Sequence, residues 1–262
     1  MGQHVFSAFL LIRGFSIWRV WQDAMHTLDL GVYQILVPSC IWELTQTSDF
    51  WKAPTRAARM LLAYRHYKAW CIKHKIQGTC RKFEPNTFKK KKSKVVQWSQ
   101  RAAKAAHMRP LVFWLRDVCQ ELQRNEHEQV RAALFNAAVF FETTCSREGR
   151  FLSDGAVKDV EIATEEMLAC YKYLSAEAGN SGLWHMLPKA HMFTHMGFDS
   201  AKKANPRRVH CFSDEDLVGK MKRILERCHG SVAHTRAVFR YALWATLRWW
   251  IVLHNLRDIP LS

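Results

Sequence analysis

The residues best suited to chemistry lie in the string Asp23-Ala-Met-His26-Thr-Leu-Asp29-Leu-Gly31. The β-branched and aromatic residues of Phe15–Trp21 precede it, and their rough alternation predicts a strand. An acid at the carboxyl end of a strand, followed by a glycine that releases the chain, is where α/β folds often present metal-binding side chains. The alternative is that Asp23 caps a turn and that His26 is an ordinary, hydrogen-bonded histidine.

A second candidate lies in the segment Pro188–His195, where His191 and His195 stand one helical turn apart. This spacing places both imidazoles on one face of a helix and suits a metal ion. A zinc-protease signature would need Glu directly after the first histidine, and Met192 occupies that position. The open alternative is a structural pair that packs into the core.

Three acids follow Ser213, namely Asp214, Glu215 and Asp216. Serine is a good N-cap and acids in a first turn suit the helix dipole, so capping alone could explain them. The segment Val209–Phe212 before them predicts a short strand.

Basic residues concentrate in a helix predicted over 55–76, in a loop over 78–94 and in a turn at 204–208. The helix is either a solvated amphipathic helix or one that contacts phosphate, and the run of like charges in the loop is typical of a flexible arm. The four consecutive lysines of the loop also fit a nuclear localisation signal. The candidate DNA-contacting residues are Arg56, Arg59, Lys68, Lys73, Arg81, Lys82, Lys89, Lys90, Lys91, Lys92, Arg207, Arg208, Lys220 and Lys222.

Helices must position most of these residues. Beyond the helix over 55–76, the pattern predicts helices over 95–107, 111–125, 126–145 and 156–178, and an apolar segment over 32–46 bent at Pro38. We therefore expect a mainly α protein with one or two short strands. The expected divisions are 1–31, a helical region over 32–204 that carries the basic loop, and 205–262.

Composition narrows the functional classes. The 262 residues include eleven Trp and fifteen Phe, enough to bury a sizeable core, and the formal net charge is +16. Such an excess favours a polyanionic partner, most commonly nucleic acid, with an anionic membrane surface as the competing explanation. No apolar run reaches the roughly 18 residues of a membrane span, so no membrane partner is expected. The eight cysteines form no CxxC pair, which is typical of reduced thiols.

The order of these motifs resembles the carboxyl-terminal half of cut-and-paste DNA transposases, especially the CACTA-type (En/Spm-like) group. An Asp-x-x-His turn with a following Gly, a long helical region, a Pro-Lys-x-His-x-x-x-His segment and an acid-rich helix carry the likeness. That group has a ribonuclease-H-like core with an Asp-Asp-Glu triad, whose Glu lies in Phe-Glu-Arg-x-x-Gly-x-x-Lys. The string from Asp214 to Lys222 keeps the Glu, the Gly and the Lys, but Asp214 and Asp216 replace Phe and Arg.

The resemblance implies that Asp23 and Glu215 are catalytic and hold Mg²⁺ or Mn²⁺. It also implies that His26, His191 and His195 are supporting residues of the same site. Two-metal phosphodiester chemistry needs carboxylates that hold two ions about 3.5–4 Å apart, and hard oxygen ligands suit these ions. The family's first Asp is expected upstream, but none of the residues before Asp23 is acidic. We therefore expect a transposase fragment that begins inside the catalytic core, with catalysis lost or incomplete.

Three hypotheses follow for the function. The first is a transposase-derived nuclear protein that acts on DNA, as a homo-oligomer or with a complementing transposase subunit. The second is a non-catalytic basic helical module that binds nucleic acid. The third is an interaction protein whose charge matches an acidic protein partner.

Overall fold

The computed structural model describes residues 22–47, 49–77, 80–88, 95–98 and 104–211, and positions 218–219, 222–223, 226, 239–240, 242–243 and 246. Across these residues the fold is mainly helical and contains no strand, which confirms the mainly α class. The chain divides into two compact units, residues 1–210 and residues 211–262. The strand predicted over Phe15–Trp21 and the acid-rich segment at Glu215 lie outside the described residues.

Seven α-helices form the described part of the first unit, together with two π-helical segments, Met25–Val32 and Met196–Ser200. The helices are α1 (Tyr33–Leu44), α2 (Arg56–Lys73), α3 (Pro85–Phe88), α4 (Ala105–Gln120), α5 (Glu126–Arg147), α6 (Asp154–Ala178) and α7 (Pro188–His195).

Short polar residues fix where the long helices begin. Thr55 Oγ1 accepts a hydrogen bond from Ala58 N at 3.2 Å, and Asn125 Oδ1 accepts one from Glu128 N at 2.9 Å. Each side chain satisfies a backbone N–H that has no partner within its own helix. At the other end of α6, Gly179 adopts φ 51°, a conformation that glycine tolerates without steric cost.

The core lies between helices α1, α2, α4, α5 and α6, with α5 packed against both α4 and α6. Aromatic rings fill the space between α2 and α4. Trp114 of α4 is fully buried, and its ring centroid lies 5.4 Å from that of Tyr67 and 5.8 Å from that of Phe83. Edge-on and tilted aromatic contacts of this kind add to the stabilisation that burial alone gives.

Three local predictions differ from the structure. Residues 95–98 are not helical, and α4 begins only at Ala105, because the Val96 and Trp98 amides bond to the distant carbonyls of Gly182 and Gln34. Residues 209–211 do not form the expected strand. Gly31 does not release the chain either, since the π-helical segment continues through it directly into α1.

The two π-helical segments matter for the site because of their neighbours. Met25–Val32 packs against α7 and α1, and Met196–Ser200 continues α7 and packs against α6. Both segments contain a glycine at a close contact, Gly31 and Gly197. Among the residues described, none of the helices combines the length and the apolar character that crossing a bilayer requires.

Candidate functional site

Asp23 stands at the start of a helical segment, not at the end of a described strand. Its carboxylate accepts hydrogen bonds from the backbone N–H groups of Met25 at 3.3 Å and His26 at 3.0 Å. The same carboxylate lies 2.5 Å from His26 Nδ1, and both side chains are partly exposed. The capping interpretation of Asp23 therefore describes the local geometry, and His26 is oriented by the acid three residues before it.

Gly31 and Lys189 bring the two motif segments together, although 158 positions separate them in the sequence. Lys189 Nζ donates a hydrogen bond to Leu30 O at 2.9 Å. A Cβ at position 31 would lie 2.6 Å from Lys189 Cδ and 2.9 Å from His26 O, closer than such atoms can approach. Partial burial lowers the pKa of Lys189, and the charge of Asp23 opposes that shift. Gly31 is therefore needed for close packing, not for a turn.

A buried ion network lies between the segment Met25–Val32, α5 and the turn Pro206–Arg208. The Arg207 guanidinium donates to both carboxylate oxygens of Asp29, at 2.8 and 2.9 Å, and its Nε donates to Glu142 Oε2 at 2.9 Å. Glu142 also accepts from Tyr33 Oη at 2.9 Å and pairs with Arg109 Nε at 3.1 Å. Arg207 therefore serves the fold, and its charge is directed at buried carboxylates and not at DNA.

Burial dominates the electrostatics of this network. It raises the pKa of Asp29 to about 6, while the charge and hydrogen bonds of Arg207 keep that pKa from rising further. Burial, reinforced by the neighbouring Glu142, raises the pKa of the Tyr33 hydroxyl. Sequence reasoning missed Asp29 and Glu142 as partners. Only the position of Asp29, one helical turn after His26, could have indicated that the two residues lie close together on a helix.

The described residues do not supply a two-metal site. Glu215 lies outside them, and among the described residues up to His210 no carboxylate of another residue lies within 4.8 Å of the ligand atoms of both Asp23 and His26. A two-ion centre needs several carboxylates that converge, and one capping carboxylate does not meet that requirement. The Mg²⁺ or Mn²⁺ site predicted at Asp23 and Glu215 therefore stays a prediction.

His191 and His195 lie on the exposed face of α7, so the alternative of a pair packed into the core does not describe them. Their Nε2 atoms are 3.1 Å apart, and His195 Nδ1 lies 2.7 Å from Asp199 Oδ2. The hydrogen bond to His195 lowers the pKa of Asp199. Sequence reasoning found the two histidines but missed Asp199, which follows His195 by one further turn.

Two of the predicted basic residues are engaged by the fold. Arg59 donates to the carbonyl oxygens of Thr45 at 2.8 Å, Gln46 at 3.0 Å and Ala53 at 2.8 Å, and so joins the end of α1 to the start of α2. The guanidinium of Arg56 lies 4.3 Å from the ring centroid of Trp42, within the range of a cation–π contact.

Five of the remaining cations of this region form what we call the basic surface: Lys68, Lys73, Lys75, Arg81 and Lys82. All but Lys68 are exposed, and Lys68 is partly exposed. The segment after α2 folds back along the helix, because Tyr64 Oη donates to Cys80 O at 3.3 Å and the Phe83 ring packs 5.3 Å from that of Tyr64. This contact places Arg81 and Lys82 beside the middle of α2.

The stretch of chain that carries the basic surface contains no acidic residue. From Lys52 to Lys82 the sequence has nine lysines and arginines and neither aspartate nor glutamate.

The other predicted DNA-binding residues lie outside the basic surface. Arg208 is exposed, with a guanidinium nitrogen 3.5 Å from Glu148 O, and Lys222 Nζ lies 3.9 Å from the carboxylate of Glu226. Four predicted DNA-binding lysines of the loop, Lys89 to Lys92, and also Lys220, lie outside the described residues.

Comparison with known proteins found no relative of this chain. No known protein family matches the chain, and neither a curated protein nor a solved structure shows significant similarity to it.

Proposed function

We propose that this chain is a transposase-derived protein that binds DNA through the basic surface of α2 and the segment 80–82. The observation that carries the proposal is the concentration of solvent-accessible cations on a stretch of chain with no acid. Like charges held side by side repel one another, and a phosphate backbone relieves that repulsion and releases its counterions. A stiff helix with a segment pinned beside it presents these charges at fixed positions.

The motif segments support the transposase part of the proposal. The Asp23–Gly31 string and the Pro188–His195 segment pack together through Gly31 and Lys189, as parts of one site would. In this proposal the segment before Asp23 derives from a ribonuclease-H-like core, and Glu215 is its catalytic glutamate. The protein acts in the nucleus, and catalysis needs carboxylates from Glu215, from a second copy or from a complementing transposase subunit.

The basic surface contacts phosphates, and phosphate contacts position a protein without reading sequence. We therefore expect binding to duplex DNA with little sequence preference. The test is fluorescence anisotropy with labelled duplexes of unrelated sequence at low salt. The variant Lys73→Glu/Arg81→Glu/Lys82→Glu reverses three exposed charges and should bind on the order of tenfold more weakly, or worse.

The matched control is Lys158→Glu/Lys172→Glu/Lys203→Glu, which reverses three exposed lysines outside the basic surface. Both variants change the net charge by the same amount, so a general charge effect would weaken them equally. The proposal requires a clear loss only in the first variant. Equal losses in both variants, or no binding by the unmodified protein, would reject it. Binding to an acidic polypeptide in place of DNA would favour the interaction-protein hypothesis.

A further inference from the structure

The two histidines of α7 are arranged as a pair of ligands. Their rings stand nearly perpendicular, with an interplanar angle of 81° and centroids 4.6 Å apart, and their Nε2 atoms face each other at 3.1 Å. Nearly half of the His195 side chain is exposed, at 48%, so an ion can reach it from solvent. Two imidazole nitrogens held this close together on one helix face are a common start of a transition-metal site.

Asp199 determines which nitrogen of His195 carries the proton. Its Oδ2 atom lies 2.7 Å from His195 Nδ1, and a carboxylate can only accept there. Nδ1 of the neutral ring is therefore the donor, and the lone pair of His195 lies on Nε2, which faces His191. A carboxylate that accepts from the far nitrogen of a histidine is the arrangement that orients metal-binding histidines in proteins.

The spacing also suits a metal ion. Zinc–nitrogen bonds of about 2.0–2.1 Å at a tetrahedral angle place two ligand nitrogens roughly 3.3–3.4 Å apart. The observed 3.1 Å differs from that by only a few tenths of an ångström, which a small rotation of two exposed rings provides. With the neutral His195 ring oriented in this way, His191 Nε2 is the donor of the hydrogen bond that joins the pair when no ion is bound.

We propose that His191 and His195 bind one divalent transition-metal ion of the zinc or copper class, and that Asp199 is the positioning residue for His195. Imidazole nitrogen favours these ions over Mg²⁺ and Mn²⁺, so the site differs in chemistry from the predicted carboxylate site at Asp23. Two protein ligands leave coordination positions for water or for an external donor. The inference does not depend on the proposed DNA binding, because none of its residues belongs to the basic surface.

The experiment is a Zn²⁺ titration of the full chain by isothermal calorimetry near pH 7.5, in which the proposed site adds one ion to the stoichiometry. His191→Ala and His195→Ala should each remove that ion. Asp199→Asn should keep it but weaken it by about 10- to 100-fold, as loss of an orienting carboxylate typically does. His185→Ala is the control, because His185 is exposed, lies just before α7 and should leave the titration unchanged.

A second measurement needs no variant and so does not depend on how well the variants fold. Electron paramagnetic resonance of the unmodified chain with substoichiometric Cu²⁺ should show two coordinated imidazole nitrogens. Mass spectrometry should show that Zn²⁺ protects both His191 and His195 from diethyl pyrocarbonate. An unchanged stoichiometry after both alanine substitutions, or equal modification of the two histidines with and without Zn²⁺, would leave only a histidine–histidine hydrogen bond and overturn the proposal.

Discussion

Replacement of Gly197 by alanine should test the packing that holds the histidine pair in place. Gly197 lies in the π-helical segment between His195 and Asp199, and that segment packs on α6. A Cβ at position 197 would lie 2.1 Å from Thr164 Oγ1, 2.6 Å from its Cγ2 and 2.7 Å from its Cβ. All three distances are far below contact distance, so the two elements must move apart.

The surroundings determine the cost of that movement. Thr164 is fully buried, and its hydroxyl already donates to Val160 O at 2.7 Å within α6, so its side chain cannot rotate away cheaply. Inserting a methyl group into such a contact typically costs about 1–3 kcal/mol of unfolding free energy. Since Asp199 follows on the same segment, the variant should also weaken Zn²⁺ binding by the histidine pair.

Urea unfolding measures this cost, and Gly155→Ala is the control. A Cβ at Gly155, in the first turn of α6, meets nothing within 4 Å, so alanine there should be neutral or stabilise by up to about 1 kcal/mol. Adding Thr164→Ala to Gly197→Ala removes two of the three clashing atoms and should recover part of the loss as a coupling energy. The packing described here is wrong if Gly197→Ala costs less than about 0.5 kcal/mol and shows no coupling to Thr164.

Three further predictions concern charged residues, and equilibrium unfolding checks each of them. Arg207→Ala should lower the free energy of unfolding by about 3–5 kcal/mol, because it leaves the carboxylates of Asp29 and Glu142 buried without the Arg207 guanidinium. A loss below about 1 kcal/mol would contradict the buried ion network. Burial raises the pKa of Asp29 from 3.8 to about 6, so the folded state holds that proton more tightly. The free energy of unfolding of the unmodified protein, relative to that of Asp29→Asn, should therefore fall by up to about 3 kcal/mol as pH rises from about 4 to 6. Above about pH 6 the difference should stay level. A rise between about pH 4 and 6 would show that the charge of Arg207 outweighs burial. Arg59→Ala should cost about 1–3 kcal/mol, because it leaves carbonyls of the α1–α2 connection without their donor. DNA affinity should not change, and weaker DNA binding by the folded variant would show that Arg59 contacts DNA.

The long helices were the predictable part of the fold. The patterns over 55–76, 126–145 and 156–178 correspond to α2, α5 and α6 within a few residues, because capping residues and apolar periodicity act locally. The segment 95–98 was not predictable, because its backbone bonds to residues far away in the chain. Gly31 was misinterpreted for the same reason, since its role is set by Lys189 and not by its neighbours.

The candidate sites show the same limit. Spacing alone places His191 and His195 on one helix face. It does not indicate Asp199, because Asp199 reaches His195 only through the continuation of α7 into a π-helical segment. Charge counting grouped Arg207 with the DNA-contacting residues, although two carboxylates distant in sequence hold it in the interior. Sequence gives the charge of an arginine, whereas the fold determines whether that charge meets a partner inside the protein or faces solvent.

The most direct test of the proposed function is the salt dependence of DNA binding. The logarithm of the association constant should fall linearly with the logarithm of salt concentration, with a slope of about −0.9 for each phosphate contact. Lys73→Glu/Arg81→Glu/Lys82→Glu should make that slope shallower by roughly 2 to 3, while Lys158→Glu/Lys172→Glu/Lys203→Glu should leave it unchanged. Identical slopes for the unmodified protein and the basic-surface variant would contradict DNA binding through α2 and the segment 80–82.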